Sequence, residues 1–247
     1  MNAALGAVAA GASATVVGRI GADPSGELVA GALAGHGIQA HLARDAELPT
    51  GVTVVLGGSS SPGVVASRGA NAALSPEDVP DPIDADALLV SGFALLQRGS
   101  SRAARAALDR VAGARAAVDL ASPGLVADVA EAGFYELTEG ADVILATAAE
   151  ARALTGAEPE AAARMLASRF AVVCVKLGPE GALAVEAGRV ERGAAGRVDR
   201  RSPFGAGDAF GATFLLALAG GEPLDRALGL ACEAGARAAS FPRTPDV

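Results

Sequence analysis

The chain has 247 residues, 51% of them apolar, which is enough for one large α/β domain or two small ones. A net charge of −8 with no basic block argues against nucleic acid or an anionic membrane as partner. It leaves phosphate ligands open, because helix ends and backbone N–H groups can supply local positive potential. No apolar run is long and uniform enough to span a bilayer, and no signal-peptide pattern follows Met1, so a cytoplasmic protein is expected. With no Trp, one Tyr and seven Phe, the core must be filled by Ala, Val and Leu. Cys174 and Cys232 lie in apolar runs and read as buried free thiols, and His36 and His41 do not make a metal cluster.

The first segment, MNAALGAVAAGASATVVG, reads as an Ala-rich helix capped by Asn2, where a parallel-sheet protein would open on a strand; the opening looks incomplete. Strand candidates follow at 12–18, 38–43, 87–93, 115–120, 142–147 and 171–177, with helical stretches at 24–35, 99–112 and 158–168. Several strands are apolar at consecutive positions, the pattern of strands covered on both faces. Such alternation of β and α predicts a mostly parallel sheet flanked by helices. Residues 50–71 break the rhythm: two β-rich runs around a Gly/Ser/Pro loop predict a hairpin standing off the main sheet. No linker or repeat divides the chain, so residues 1–247 read as one domain with a small β appendage.

The segment RRSPFGAGDAFGATFLLALAGGEP, residues 200–223, carries the chemistry. Its helix is apolar on every face and therefore predicted to be buried, ending where Gly220, Gly221 and Pro223 supply a cap and a breaker. Its N-terminus leaves backbone N–H groups without intrahelical acceptors, and two glycines let a ligand approach them closely. That is a recipe for an anion hole. Asp208 has two readings: a first-turn acidic residue favoured by the helix dipole, or a general base beside the phosphoryl group. Lys176, the sole lysine against 19 arginines, is either a strand-end surface residue or a phosphate contact. Asp23, before Pro24, reads as a helix N-cap.

GAGDAF ahead of a buried helix resembles the second signature of the ribokinase (PfkB-type) carbohydrate kinases. Five further segments are similar to that family in the same order: GRIGADPSGELVAGALAGHGI (18–38), PTGVTVVL (49–56), RGANAALSPEDV (68–79), EARALTG (150–156) and VKLGPEGAL (175–183). The resemblance implies a three-layer α/β/α fold with a mostly parallel central sheet and a lid hairpin at about 50–68. It implies ATP and Mg2+ as cofactors and phosphoryl transfer to a small sugar or sugar-like alcohol. Asp208 would be the base, with Gly205, Ala206 and Gly207 lining the anion hole. Lys176, Gly178 and Gly181 would lie along ATP, Glu150 would serve the metal and its water shell, and Asn2 and Arg68 would bind the acceptor. The lid implies a homodimer.

The resemblance has gaps. The family's opening strand, its substrate-binding aspartate, its first lid strands and its Gly-Gly pair would all precede Asn2. Thr147 stands where the family has the asparagine of N-x-x-E, and Ser202-Pro203-Phe204 replace Asp-Thr-Thr, which speaks against a monovalent-cation site. The C-terminal tail is short, so some nucleotide contacts would be missing. Alternatives are a nucleoside or 2-keto-3-deoxygluconate kinase of the same superfamily, or a non-catalytic nucleotide-binding remnant.

Overall fold

The structure is a computed structural model and describes residues 1–56, 63–129, 131–196 and 205–240. The loop of the hairpin, Ser202-Pro203-Phe204 and the tail after residue 240 lie outside the described residues.

In chain order the elements are α1 (Asn2–Ala9), β1 (Thr15–Gly21), α2 (Pro24–Gly35), β2 (Gln39–Asp45), β3 (Val52–Leu56) and β4 (Gly63–Ser67). Then come β5 (Ala87–Ser91), α3 (Gly92–Leu95), α4 (Ser101–Arg110), β6 (Arg115–Asp119), α5 (Pro123–Ala127), α6 (Glu131–Leu137), β7 (Val143–Thr147), α7 (Ala148–Thr155) and α8 (Pro159–Leu166). The last are β8 (Val172–Lys176), β9 (Ala182–Glu186), β10 (Arg189–Gly193), α9 (Ala206–Ala219) and α10 (Leu224–Ser240).

The main sheet runs β10-β9-β8-β7-β6-β5. Strands β5 to β8 pair in parallel, whereas β9 and β10 are antiparallel. Side-chain alternation splits the consecutive apolar residues between two cores. Ala116, Val118, Ile144, Ala146, Val173 and Val175 face the helices on one side, around Phe134 and Leu166. Ala117, Val143, Leu145, Val172 and Cys174 face Phe210, Phe214 and Leu228 on the other. This is the three-layer arrangement, with both cysteines buried and free. Each fully buried Val or Leu contributes about 1.5–3 kcal/mol relative to exposure, so covering both faces stabilises these short strands.

The first two strands depart from the expected single sheet. β1 and β2 form their own parallel pair. On the outer edge of β1, side chains take the place of a neighbouring strand: Asn71 Oδ1 accepts from Arg19 N–H at 3.5 Å and Thr50 Oγ1 from Gly21 N–H at 2.9 Å. Arg19 of β1 pairs with Asp45 of β2 inside this unit (2.9 Å) and ties the unit to the body through Asp78 (3.0 Å). Arg110 of α4 donates to the carbonyls of Pro76 and Val79, 2.6 Å each, on either side of Asp78.

Asp23 caps α2, accepting from Gly26 N–H at 2.8 Å, and also takes the Thr50 hydroxyl (2.6 Å) and N–H (2.7 Å). These bonds, the Thr50 hydroxyl foremost, hold its carboxyl below the usual range. The cap assigned to Asn2 is corrected: Met1 occupies the N-cap position, and Asn2 is already the first helical residue, with no side-chain cap bond. The hairpin β3–β4 is antiparallel and exposed on both faces, with Val54, Val55, Val64 and Val65 all in solvent.

Candidate active site

The parallel strands β5 to β8 end at one edge of the main sheet, and the first turns of α9 lie over that edge. Asp119 is the last residue of β6, Thr147 of β7 and Lys176 of β8. A Cβ placed on Gly207 would sit 3.7 Å from Lys176 Nζ. One on Gly211 would sit 3.2 Å from Asp119 Oδ2 and 3.1 Å from Leu145 Cδ1. Small residues on this stripe of α9 therefore let the helix settle directly onto the strand ends. The helix is buried along most of its length, from Ala209 to Leu218, as its all-round apolar sequence predicts.

Gly205 precedes α9 in the left-handed region (φ 81°), a conformation costly for a residue with a Cβ. It brings no side chain to cap the helix, and the first intrahelical bond runs from Ala209 N–H to Gly205 O at 2.9 Å. The N–H groups of Ala206, Gly207 and Asp208 precede that bond and point along the dipole's positive end. The residues thus fit a phosphate group.

Beneath this turn Lys176 Nζ donates to Asp119 Oδ1 at 2.5 Å. The two side chains are 13% and 15% exposed, which removes the surface-lysine reading. Burial pushes the Asp119 carboxyl up to about 6 against the pull of Lys176, and the charges of Asp208 and Glu150 push the same way. Burial would also lower Lys176, but Asp119 and, more weakly, Glu150 outweigh it and hold the ammonium above its ordinary value. At neutral pH both partners are charged. These same interactions place Asp208, Glu150, Asp119 and Lys176 in one electrostatic neighbourhood.

Asp119 was missed by sequence reasoning. Its signal was a lone carboxylate finishing an apolar parallel strand, the position Lys176 occupies two strands away.

Glu150 is buried and forms a capping box with Thr147: Thr147 N–H donates to Glu150 Oε2 at 2.8 Å, and Glu150 N–H to Thr147 Oγ1 at 3.3 Å. Thr147 thus spends its hydroxyl on α7. Among the described residues no cluster of three or more His, Cys, Asp or Glu side chains forms a metal cage. A cation here would be held by one carboxylate together with phosphate oxygens and water, the usual manner for Mg2+.

Asn2 shares a cavity of about 210 Å³ with Gly205, Ala209, Thr213 and Arg237, enclosed by α1, α9 and α10. Gly178 begins a 3-10 turn two residues after Lys176. Gly181 (φ 93°) closes that turn, and a Cβ there would lie 1.9 Å from Gly193 O, so backbone packing alone demands glycine. Arg68 is held at the hairpin root by Ser100 Oγ (2.5 Å) and Asn71 O (3.3 Å), bonds that do not bring it to the cluster. Another hollow, about 890 Å³, is lined by residues of α2 and its approach, among them Asp23 and Leu28, and by none of the strand-end residues.

The profile of the pfkB family carbohydrate kinases matches residues 1–243. No curated protein sequence gives a significant match. Similar solved structures include a PfkB protein from Polaromonas sp. JS666, 29% identical, with 98% of this chain and 85% of that one covered and a TM-score of 0.80. A fructokinase from Vibrio cholerae O395, with fructose, ADP and calcium bound, is 25% identical, with 97% and 83% covered and a TM-score of 0.81. An adenosine kinase from Sinorhizobium meliloti shares the fold at 24% identity, with 100% and 78% covered and a TM-score of 0.88. Among the described residues no helix is long and apolar enough to cross a membrane. The chain belongs to the pfkB family of carbohydrate kinases, which are phosphotransferases.

Proposed function

We propose that this chain phosphorylates a hydroxyl of a small carbohydrate at the carboxyl ends of β6 to β8. The observation that carries this reading is the uncapped first turn of α9 lying directly over the Lys176–Asp119 pair. ATP with Mg2+ supplies the transferable γ-phosphoryl group and neutralises part of its charge. Gly205, Ala206 and Gly207 offer backbone close enough for the phosphoryl oxygens to meet the N–H groups, which are oriented before the reaction and need no reorganisation. Lys176 adds a fixed positive charge beneath them.

Asp208 takes the proton of the acceptor hydroxyl as the oxygen attacks. Its position in the first turn keeps it beside the phosphoryl site, and it stays available because Lys176 is engaged by Asp119. Glu150 retains its second carboxylate oxygen for the hydration shell of the cation, the first being used in the cap. Asn2 and the cavity it lines receive part of the acceptor, and Gly178 lies along the nucleotide. Arg68 acts from the hairpin root, where β3 and β4 close over the acceptor as a lid. Their exposed valines favour pairing with a second copy, which sedimentation of the full chain reads directly. A location in the cytoplasm agrees with the use of ATP.

The test is ADP release from ATP and Mg2+ with ribose, fructose, 2-keto-3-deoxygluconate, adenosine and other nucleosides as acceptors. Turnover is expected with at least one sugar, and Asp208→Asn is expected to lower kcat by roughly 10²–10⁴. Nucleotide binding without turnover on any acceptor would refute the kinase reading in favour of a nucleotide-binding remnant.

A further inference from the structure

The ion pair beneath the anion hole is confined on every side. Asp119 and Lys176 reach toward each other across the end of β7, so neither could pair this way if the strands slipped by one residue. Asp119 Oδ1 holds the ammonium, while Oδ2 packs against the backbone of α9 at Gly211. Two carboxylates act on the one cation, Asp119 from β6 and Glu150 from α7; a third, Asp208 of α9, acts on Asp119 and follows Gly207, whose Cβ position lies 3.7 Å from Nζ. Cys174, from β8, is the other titratable group acting on Lys176; burial pushes its thiol far up and keeps it neutral.

An unrestrained lysine in such a place would be drawn to whichever carboxylate it could reach. Pairing with Asp208 would neutralise the candidate base, and pairing with Glu150 would compete with a divalent cation. We propose that Asp119 is a positioning residue: it pins the Lys176 ammonium under the Gly205–Asp208 turn, facing the phosphoryl site, and keeps it from pairing with Asp208. Asp119 touches neither phosphate nor acceptor, and its effect passes through Lys176. This inference rests on the kinase reading above.

The sole lysine makes the test direct. Lysine labelled with ¹³C at Cε gives one side-chain resonance, that of Lys176. Adding ATP and Mg2+ to the wild-type chain is expected to move that resonance. In Asp119→Asn the resonance of the free protein shifts, KM for ATP rises roughly tenfold and kcat falls roughly ten- to a hundredfold, the range for groups that orient a first ligand. The neutral double variant Asp119→Asn/Lys176→Gln removes both charges. It is expected to regain the thermal stability that the single change loses while remaining as impaired in turnover. Two results would overturn the proposal: Asp119→Asn keeping KM and kcat within about twofold of wild type, or the double variant recovering turnover together with stability. A wild-type resonance indifferent to ATP, with no turnover on any acceptor, would bring down the kinase reading itself and this inference with it.

Discussion

Glu150 has one observed role and one proposed role, which a pair of substitutions separates. Its Oε2 caps the Thr147 N–H at 2.8 Å, and its charge is proposed to serve the cation. Thr147→Ala removes only the hydroxyl that accepts the Glu150 N–H, a bond of 3.3 Å and therefore on the weak side. Loss of such a cap costs about 0.5–1 kcal/mol, and at this chain length each 1 kcal/mol lowers Tm by about 2–4 °C. Turnover should stay within about twofold, because every carboxylate remains. Glu150→Gln is the converse: the amide oxygen still accepts the Thr147 N–H, so stability changes by less than about 1 kcal/mol. With the charge gone, the Mg2+ concentration for half-maximal rate should rise roughly tenfold and kcat fall roughly ten- to a hundredfold. Thermal unfolding by circular dichroism and ADP release across a Mg2+ titration read the two effects separately. If Glu150→Gln kept the wild-type rate and Mg2+ response, the carboxylate would be a helix cap and nothing more.

The Asp119 carboxyl, raised by burial to about 6, predicts an acid limb: kcat/KM for ATP should fall as pH drops through about 6, where the protonated carboxyl releases Lys176, and Asp119→Asn should lack that limb. Stability carries the opposite sign. Between the ordinary carboxyl value of 3.8 and about 6 the folded chain binds more protons at this group than the unfolded chain. Its contribution therefore falls as pH rises through that window, and the difference in denaturant unfolding free energy between wild type and Asp119→Asn should carry that slope. Gly181→Ala must move backbone at Gly193 and adopt a left-side φ, so a loss of about 3 kcal/mol or more is expected. Gly178→Ala, with open space at the Cβ position, should cost only about 1–2 kcal/mol. Equal Tm losses for the two would refute that contrast.

Much of the fold was legible because its strands are short, apolar and covered on both faces. α2 was placed at 24–35 because Asp23-Pro24 announces its start, and β8 because AVVCVKL has no other home than a buried strand. β9 and β10 escaped notice: ALAVE puts small alanines where bulkier β-formers would signal a strand, and its burial is created by α10 and the opposite core. Nor could the separation of β1 and β2 be foreseen, since it depends on Asn71 and Thr50, distant in sequence, satisfying the edge of β1. The cap assigned to Asn2 failed by one residue because Met1 can hold that position without a side-chain bond. Thr147 and Glu150 carried the T-x-x-E signature of a capping box in plain view. At the candidate site, GAGD marked the helix turn that starts without a side-chain cap, but the Asp119–Lys176 pair joins residues 57 positions apart across an intervening strand, and no local pattern encodes that.

A net charge of −8 repels a polyphosphate at long range. The proposed site needs no basic surface. There, attraction would come from the N–H groups of one helix turn without a side-chain cap and from one ammonium held where solvent barely screens it, so that a single lysine acts at short range and low dielectric. The carboxylates around it are equally placed by the fold: Asp119 holds the ammonium, Asp208 has no salt-bridge partner among the described residues, and Glu150 spends one oxygen on its helix. Exchanging Lys176 for arginine, the residue this chain uses everywhere else, would put a broad planar fork into a space closed by Gly207 above and Asp119 beside it. A compact, rotatable ammonium fits that confined position better than the planar fork of arginine would.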